Sequence, residues 1–329
     1  MEVLIYSVII SFFITLAIGV IAIPMLRRLK FGQQVRDDGP KTHLKKAGTP
    51  TMGGIIFLIP ISIIPVVLSK GSLDFTLATV LVTLGFGLTG FMDDFIKIIK
   101  HRSLGLRAYQ KLLAQIAIGV AFSFYAYKNI GSSIIVPFTQ LEWDLGLLYI
   151  PAMTFIIIGT VNSVNFTDGL DGLASGVTLI VAVTLSIIAG SMTAVMREEG
   201  MEYLAVNYSN LMTFAGALAG ACLGFIKFNT YPAQVFMGDT GSLGLGGAVA
   251  ALSVFLRVPL LLPIIGGIYM AETLSVIIQV ISFRLTGKRV FRMSPLHHHY
   301  ELSGMNETKV VTMFMIATVL LCLIGLLAI

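Results

Sequence analysis

Long apolar segments separated by short polar ones extend along the whole chain. A helix needs about 20 mostly apolar residues to cross the hydrocarbon core of a bilayer. Segments of this kind predict an all-α membrane protein, a polytopic bundle of ten transmembrane helices in a single domain over residues 1–329. The predicted spans are residues 3–26, 51–68, 75–92, 112–127, 146–163, 173–195, 209–226, 242–257, 259–282 and 310–329.

The composition supports this prediction. Hydrophobic residues make up 56% of the 329 residues and charged residues only 12%, whereas soluble domains carry about 25% charged residues. These values exclude a soluble globular enzyme. They also exclude a disordered chain, which would be poor in apolar residues and rich in charge.

Lysine and arginine are distributed unevenly between the two sets of connecting segments. One set contains 18 of the 22 basic residues, and it comprises residues 27–50, 93–111, 164–172, 227–241 and 283–309. The positive-inside rule places this set in the cytoplasm, and an even number of spans then places both termini outside. The net charge of +5 therefore reflects basic residues that face the anionic cytoplasmic leaflet. A nucleic-acid partner is not needed to explain it.

Five aspartates lie at the predicted cytoplasmic ends of spans, on three separate segments. They are Asp93, Asp94, Asp168, Asp171 and Asp239. Most of the external carboxylates cluster in short loops, at Glu142, Asp144, Glu198, Glu199 and Glu202, where solvation explains them. We therefore expect an active site at the cytoplasmic face of the membrane.

The segment G-F-M-D-D-F-I-K carries Asp93, Asp94 and Lys97. Adjacent carboxylates repel each other, and one loses its charge unless a cation lies between them. Mg²⁺ commonly binds one or two carboxylates together with substrate phosphates. The alternative is an interfacial helix end at which Lys97 pairs with Asp93 at i, i+4.

A second polar pattern, N-S-V-N-F-T-D-G-L-D-G-L-A, repeats every three residues. On a helix, Asn162, Asn165, Asp168 and Asp171 would form one polar stripe. Such a stripe suits a hydrated cation and hydroxyl groups. A tight glycine-rich turn capped by aspartate is the alternative, but it leaves both asparagines unexplained.

The third pattern, F-M-G-D-T-G-S-L-G, places Asp239 just before span eight, beside Gly238, Gly241 and Gly244. Free N–H groups at a helix start bind anions, and Asp239 could hold a metal that bridges to that anion. Phosphate with a metal suits both features. The G-x-x-x-x-G-K-[ST] signature of P-loop nucleotide hydrolases is absent.

Two further cytoplasmic segments carry candidate binding residues. His297, His298 and His299 are consecutive and cannot all face one metal, so we expect hydrogen bonds to phosphate or sugar oxygens, with at most one histidine carrying a proton. At the entrance to span two, Lys46 precedes a turn of small residues, Gly48–Gly54, which contains Thr51. Anionic lipid binding is an alternative for the lysines there, but it does not account for Thr51.

Four motifs follow one another along the chain, namely D-D-x-x-K, N-x-x-N-x-x-D-G-x-D-G-L-A, G-D-T-G-S and P-x-H-H-H-Y-E. In this order they closely resemble the motifs of the phospho-N-acetylmuramoyl-pentapeptide-transferase family. This family is a branch of the polyprenyl-phosphate N-acetylhexosamine-1-phosphate transferases. The resemblance extends from Lys41 to Glu301. It implies transfer of phospho-MurNAc-pentapeptide from UDP-MurNAc-pentapeptide to undecaprenyl phosphate, which gives lipid I and UMP. It also implies Mg²⁺ as cofactor, a homodimer, contact with membrane lipids, and the bacterial cytoplasmic (inner) membrane, where this is the first membrane step of peptidoglycan synthesis.

The resemblance implies roles for individual residues as well. Asp93 and Asp94 would be the catalytic pair, and Asp239 would be a catalytic residue and the magnesium ligand. The substrate-binding residues would be Lys46, Thr51, Lys97, Asn162, Asn165, Asp168, Asp171, Gly238, His297, His298 and His299. Tyr300 stands where the family more often has phenylalanine, a small departure.

Two other functions and two chemical routes are open. A related transferase that uses UDP-GlcNAc is one alternative. An ion-coupled transporter is another, and Glu272, well inside span nine, is the best argument for it.

For the transferase, direct attack by the lipid phosphate, with Asp93 removing or steering its proton, is the favoured route. A two-step route through an aspartyl phosphate is chemically permitted.

Overall fold

The computed structural model describes residues 2–28, 48–100, 104–139 and 141–329. The helices are α1 (Glu2–Arg28), α2 (Gly54–Leu68), α3 (Asp74–Ile99), α4 (Ala108–Ile130), α5 (Tyr149–Thr167), α6 (Leu173–Glu198), α7 (Glu202–Asn229), α8 (Gly238–Phe255), α9 (Leu262–Ile265), α10 (Gly267–Thr286), α11 (Leu296–Leu302) and α12 (Glu307–Leu326). The two strands are β1 (Ser133–Val136) and β2 (Leu141–Asp144).

Each of the ten predicted spans overlaps a helix. In the described part of the chain, seven helices are long and apolar enough to cross a membrane, namely α1, α3, α5, α6, α7, α10 and α12. The chain is therefore a multi-pass membrane protein. The other predicted spans coincide with α2, α4 and α8, of which α2 has only 15 residues. Ten crossings, and the side on which the termini lie, stay predictions.

Span nine is not one continuous helix. A 3₁₀ turn over Pro259–Leu261 leads into the short helix α9, and α10 begins only at Gly267. Pro259, Pro263 and the glycine pair at 266–267 account for this break, because proline lacks the N–H that an uninterrupted helix needs and glycine stabilises a helix poorly.

The expectation of an entirely helical chain is wrong in one segment. Strands β1 and β2 form an antiparallel hairpin, with Ser133 opposite Asp144 and Val136 opposite Leu141. The β-branched residues Ile134, Ile135 and Val136 favour a strand here. An ion pair between Arg257 and Glu142 and a hydrogen bond from the backbone N–H of Ile135 to the carbonyl oxygen of Arg257, 2.8 Å long, attach the hairpin to the segment that follows α8.

Helix α8 lies at the centre of the molecule and is buried from Thr240 to Phe255. It packs most extensively against α3 and α5. Because α8 is enclosed by protein, its first turn is held at a fixed place among the ends of the surrounding helices. This first turn carries Asp239.

Small side chains allow α1 and α7 to pack closely. The buried residues of α1 recur every four positions at Ser7, Ser11, Thr15 and Gly19, so they form one face of the helix. On α7, Gly216, Gly220 and Gly224 face them. Small residues at this spacing let membrane helices approach closely, which increases their van der Waals contact.

We expect Gly220→Val to destabilise the protein. A Cβ atom built on Gly220 collides with the backbone carbonyl of Val8, and a backbone atom cannot rotate aside. Overpacking of this kind typically lowers the free energy of unfolding by about 1–3 kcal/mol. Thermal unfolding of purified protein in detergent should show a lower melting temperature. Gly159→Ala is the matched control, because nothing lies within 4 Å of its added Cβ, and an unchanged melting temperature for Gly220→Val would contradict the prediction.

Candidate active site

Three carboxylates meet at one end of the helix bundle. Asp93 and Asp94 lie near the carboxyl end of α3, and Asp239 lies in the first turn of α8. One oxygen from each carboxylate lies within 4.8 Å of the other two. Over residues 2–28, 48–100, 104–139 and 141–329, this is the one group of three or more acidic, histidine or cysteine side chains close enough to hold a metal ion. Carboxylate oxygens are ligands that Mg²⁺ prefers.

Two lysines neutralise most of this negative charge. The Nζ atom of Lys97 lies 2.6 Å from Asp93 Oδ2, 3.5 Å from Asp94 Oδ1 and 3.1 Å from Asp239 Oδ2. The Nζ atom of Lys111, near the start of α4, lies 2.9 Å from the same Asp239 oxygen. The i, i+4 pairing of Lys97 with Asp93 is confirmed, and it occurs within the carboxylate cluster. With both lysines charged, the cluster retains one unit of negative charge.

Asp94 holds the start of α8 in place. Its Oδ2 atom accepts hydrogen bonds from the backbone N–H of Thr240 at 2.9 Å and from the Thr240 hydroxyl at 2.8 Å. Its Oδ1 atom accepts the N–H of Asp239 at 3.2 Å. The first N–H groups of a helix have no partner within the helix, so this buried carboxylate caps α8 from α3. The position of Asp239 therefore depends directly on Asp94.

The turn before α8 requires the glycine at position 238. Gly238 has φ of +68°, a value that residues with a side chain rarely adopt. A Cβ atom there would also lie 2.5 Å from Asp94 Oδ2 and 2.8 Å from Thr51 Oγ1. The structure thus brings Gly238 and Thr51 to the edge of the carboxylate cluster, and their roles in substrate binding stay predictions. Lys46 lies outside the described residues.

Asp93 is held by the segment that connects α3 to α4. Its Oδ1 atom accepts the backbone N–H of Leu106 at 2.8 Å, and its Oδ2 atom faces Lys97. A side chain at Gly105 would collide with Asp93, so glycine is needed where this segment passes the carboxylate. Asp93 is 4% exposed, and its orientation is fixed by both contacts.

The predicted polar stripe of α5 is divided in two. The Nδ2 atom of Asn165 donates to Asp239 Oδ1 at 2.9 Å and to Ser242 Oγ at 2.8 Å, so Asn165 belongs to the cluster. Asn162 instead donates to Gln115 Oε1 of α4 at 2.8 Å. One helical face can therefore contact two different neighbours.

The stripe does not continue to Asp168 and Asp171 on the same helix, and that part of the expectation is wrong. Helix α5 ends at Thr167, because the following residues form a glycine-rich turn in which Gly172 has φ of +82°. The carboxylate of Asp171 accepts the backbone N–H of Ala233 at 2.9 Å. The segment from Asp168 to Gly172, called the 168–172 turn below, thus lies beside the residues that precede α8.

The three histidines of α11 face different partners. His297 is 1% exposed, and its Nδ1 atom lies 3.1 Å from Glu272 Oε1. The Nδ1 atom of His298 lies 2.9 Å from Glu301 Oε2. The Nδ1 atom of His299 accepts the backbone N–H of Arg292 at 3.2 Å. As expected for consecutive residues, they do not converge on one point.

Comparisons with known proteins show which family the chain resembles. The model of the family described as glycosyl transferase family 4 matches residues 76–257, and signature 1 of phospho-N-acetylmuramoyl-pentapeptide-transferases matches residues 46–58. A phospho-N-acetylmuramoyl-pentapeptide-transferase of Clostridium kluyveri is 52% identical over 327 residues, which is 99% of each chain. That of Clostridioides difficile is 52% identical over 98% of this chain and 97% of its own. That of Acetivibrio thermocellus is 51% identical over 98% and 94%.

The chain belongs to the phospho-N-acetylmuramoyl-pentapeptide-transferase family. It is therefore a member of a family of transferase enzymes, and the resemblance read from the motifs is confirmed. The matched residues 76–257 include every member of the carboxylate and lysine cluster, whereas the histidines of α11 lie beyond them. The matched signature at residues 46–58 includes both Lys46 and Thr51.

Sequence reasoning missed four residues that contact predicted site residues in this family member. They are Lys111, Gln115, Thr240 and Ser242. Lys111 stands at the boundary between a basic loop and span four, and a lysine that begins an apolar helix at the predicted active face was a usable signal. The other three are common polar residues within apolar helices, and only the three-dimensional packing shows what they contact.

Proposed function

We propose that the chain transfers phospho-MurNAc-pentapeptide from UDP-MurNAc-pentapeptide to undecaprenyl phosphate, with lipid I and UMP as products, at the cytoplasmic face of the bacterial inner membrane. The observation that carries this proposal is the cluster of Asp93, Asp94 and Asp239 with Lys97 and Lys111, in a chain whose relatives are named for this transfer. A homodimer stays a prediction from the family resemblance.

The charge of the cluster suits the reaction. Transfer of a phosphoryl group requires positioning and charge neutralisation more than covalent chemistry by the protein. The diphosphate of the donor and the phosphate of the acceptor are both anionic, so their approach is electrostatically opposed. Lys97 and Lys111 lie at 3.1 Å and 2.9 Å from Asp239, where they can offset this repulsion.

Mg²⁺ is proposed as the cofactor, with Asp239 as its main ligand. The hard oxygen donors of the cluster and its excess negative charge fit such a cation. Both oxygens of Asp94 already accept hydrogen bonds from the start of α8, so Asp94 would act mainly by positioning Asp239. When bound, the ion would neutralise charge on the diphosphate oxygens.

The other residues are proposed to bind and orient the substrates. Asp93 would remove or steer the remaining proton of the lipid phosphate. Asn165, which contacts Asp239, would contact the uridine and phosphate groups of the donor. Asn162, Asp168 and Asp171 would bind the donor together with it. The remaining proposed contacts to phosphate or sugar are Lys46, Thr51, Lys97, Gly238, His297, His298 and His299.

A transporter is disfavoured by the position of Glu272. Its sequence position suggests the middle of span nine, but its carboxylate contacts His297 of α11, and the neighbouring Thr273 hydroxyl donates to Ser163 Oγ at 2.7 Å, close to the carboxyl end of α5. Glu272 thus lies near the active-site end of the bundle. Transport sites lie near the bilayer midplane between repeats.

Release of UMP by the purified protein tests the proposed function. The assay contains undecaprenyl phosphate with either UDP-MurNAc-pentapeptide or UDP-GlcNAc, each with and without Mg²⁺. We expect UMP only with the MurNAc-pentapeptide donor, and only in the presence of the metal. Turnover of UDP-GlcNAc instead would assign the chain to the related transferases.

We expect Lys111→Gln to impair turnover by about 10- to 100-fold, because a charge-assisted hydrogen bond to Asp239 and one positive charge near the diphosphate are lost. Steady-state UMP release measures the effect. Lys128→Gln is the matched control, since Lys128 is exposed on the same helix, 17 residues or about 25 Å away. Equal activities of the two variants would exclude Lys111 from the site.

A further inference from the structure

The buried carboxylate of Glu272 is not a member of the carboxylate and lysine cluster. Glu272 is 0% exposed, and an ionised carboxylate removed from water is costly unless it is paired and hydrogen-bonded. In the structure its partner is His297, on a helix that begins 24 residues later in the chain. Both the side chain and the backbone of His297 contribute to this contact.

The contact fixes the position of α11. The backbone N–H of His297 lies 3.3 Å and 3.4 Å from the two oxygens of Glu272. This N–H belongs to the first turn of α11, where backbone donors lack a partner within the helix. Glu272 therefore attaches the histidine helix to α10.

The contact also fixes which nitrogen of the imidazole carries hydrogen. A carboxylate only accepts hydrogen bonds, so the Nδ1 atom of His297, 3.1 Å from Glu272 Oε1, must be the donor. The tautomer of a histidine is set in this way by the hydrogen bond of one ring nitrogen. In the neutral ring the Nε2 atom, on the opposite side, then carries no hydrogen and is a hydrogen-bond acceptor.

The Nε2 atom of His297 has no hydrogen-bond partner among the described residues, although it is buried. Buried polar atoms without a partner are rare in proteins, and each calls for a specific explanation. This one is directed at Gly169, where an added Cβ would collide with it. Gly169 belongs to the 168–172 turn, which directly follows α5 with its site residue Asn165.

We propose that Glu272 is a positioning residue of the transfer reaction, which holds the Nδ1 hydrogen of His297 and so presents Nε2 to the UDP-sugar donor where α11 meets the 168–172 turn. This inference rests on the proposed function. The group that Nε2 contacts is a phosphate or sugar oxygen of the donor. Glu272 itself touches neither substrate.

Conservative variants separate this role from a purely structural one. An asparagine can place its amide nitrogen where His297 has Nδ1, whereas a glutamine reaches the place of Nε2. We expect His297→Asn to keep the contact with Glu272, to melt at the wild-type temperature, and to lower kcat/KM for the donor about 100-fold. His297→Gln should lose less. Near-normal activity of a folded His297→Asn would overturn the proposal, because it would show that only the contact with Glu272 matters.

The Glu272→Gln variant tests the positioning step. A glutamine oxygen can still accept the Nδ1 hydrogen, but more weakly than a carboxylate, so we expect kcat/KM for the donor to fall about tenfold while KM for undecaprenyl phosphate is unchanged. Because residues that act as a unit are non-additive, Glu272→Gln combined with His297→Asn should be no worse than His297→Asn alone. Additive losses would overturn the proposal. Ser275→Ala is the matched control, since among the described residues its hydroxyl bonds only to the backbone oxygen of Glu272.

A measurement without substrate separates this inference from the proposed function. Nitrogen NMR of protein labelled with ¹⁵N-histidine reports which ring nitrogen carries hydrogen, and the signal lost in His297→Asn assigns His297 among the five histidines. We expect hydrogen on Nδ1 in the wild type and a shifted signal in Glu272→Gln. A neutral ring with hydrogen only on Nε2 would overturn the inference. Failure of the wild-type protein to release UMP would instead overturn the proposed function, whatever the NMR result.

Discussion

Replacing Asp239 with asparagine should lower turnover by about 100-fold or more at any magnesium concentration. The Oδ2 atom of Asp239 faces the ammonium groups of Lys97 and Lys111, and its Oδ1 atom accepts the amide of Asn165. An asparagine must direct its own NH₂ group at one of these donors, whichever way it turns. The substitution also removes the charge that would hold Mg²⁺ beside the diphosphate.

The measurement is steady-state UMP release over a range of magnesium concentrations, with the melting temperature of each variant as a check on folding. Glu199→Gln is the control, because Glu199 is an exposed carboxylate at the opposite end of α6 from the 168–172 turn. If Asp239→Asn kept near-normal turnover at low Mg²⁺, the assignment of Asp239 as metal ligand would be wrong.

The second large effect is expected for Asp93→Asn, and it should depend on pH. The second pKa of a phosphate monoester is about 6, so the lipid phosphate loses its last proton without help as the pH rises. If Asp93 removes or steers that proton, the variant should be poor throughout but less impaired near pH 9 than near pH 6. The ratio of wild-type to variant turnover across this interval measures the effect.

A covalent role for Asp93 gives a different result. In that route its carboxylate would form a bond to the sugar phosphate while the bond to UMP breaks, and an amide cannot form this acyl phosphate at any pH. We expect no phosphorylated enzyme when labelled donor is supplied without acceptor. A protein-bound phospho-sugar that passes to lipid phosphate would refute direct attack. Asp74→Asn, on the same helix but at its opposite end, is the matched control.

The convergence of Asp93, Asp94 and Asp239 could be predicted from the sequence. All three lie at the ends of apolar spans, and the distribution of basic residues assigns those ends to one face of the membrane. Two strong rules, the span length and the positive-inside rule, therefore suffice to bring distant segments together. The same rules identify the membrane class and most of the helices.

The partners of individual side chains could not be predicted in the same way. Helical spacing shows that Asn162 and Asn165 lie on one face of α5, but not that this face contacts Gln115 on one helix and Asp239 on another. The end of α5 at Thr167 was missed because the three-residue spacing continues through the turn. The position of Glu272 near the active-site end of the bundle was missed as well. The sequence suggested one continuous span, whereas the break before α10 shifts the residues of that helix along the axis of the bundle.

The enclosure of α8 makes the geometry of the cluster independent of the surrounding lipid. A helix that faces acyl chains tilts when the hydrophobic thickness of the bilayer changes, and α1 and α12, with less than a third of their spans buried, are open to this effect. Helix α8 has no such face from Thr240 to Phe255, and its first turn is capped by Asp94. A thinner or thicker membrane would therefore reorient the outer helices while the distance between Asp94 and Asp239 stays the same.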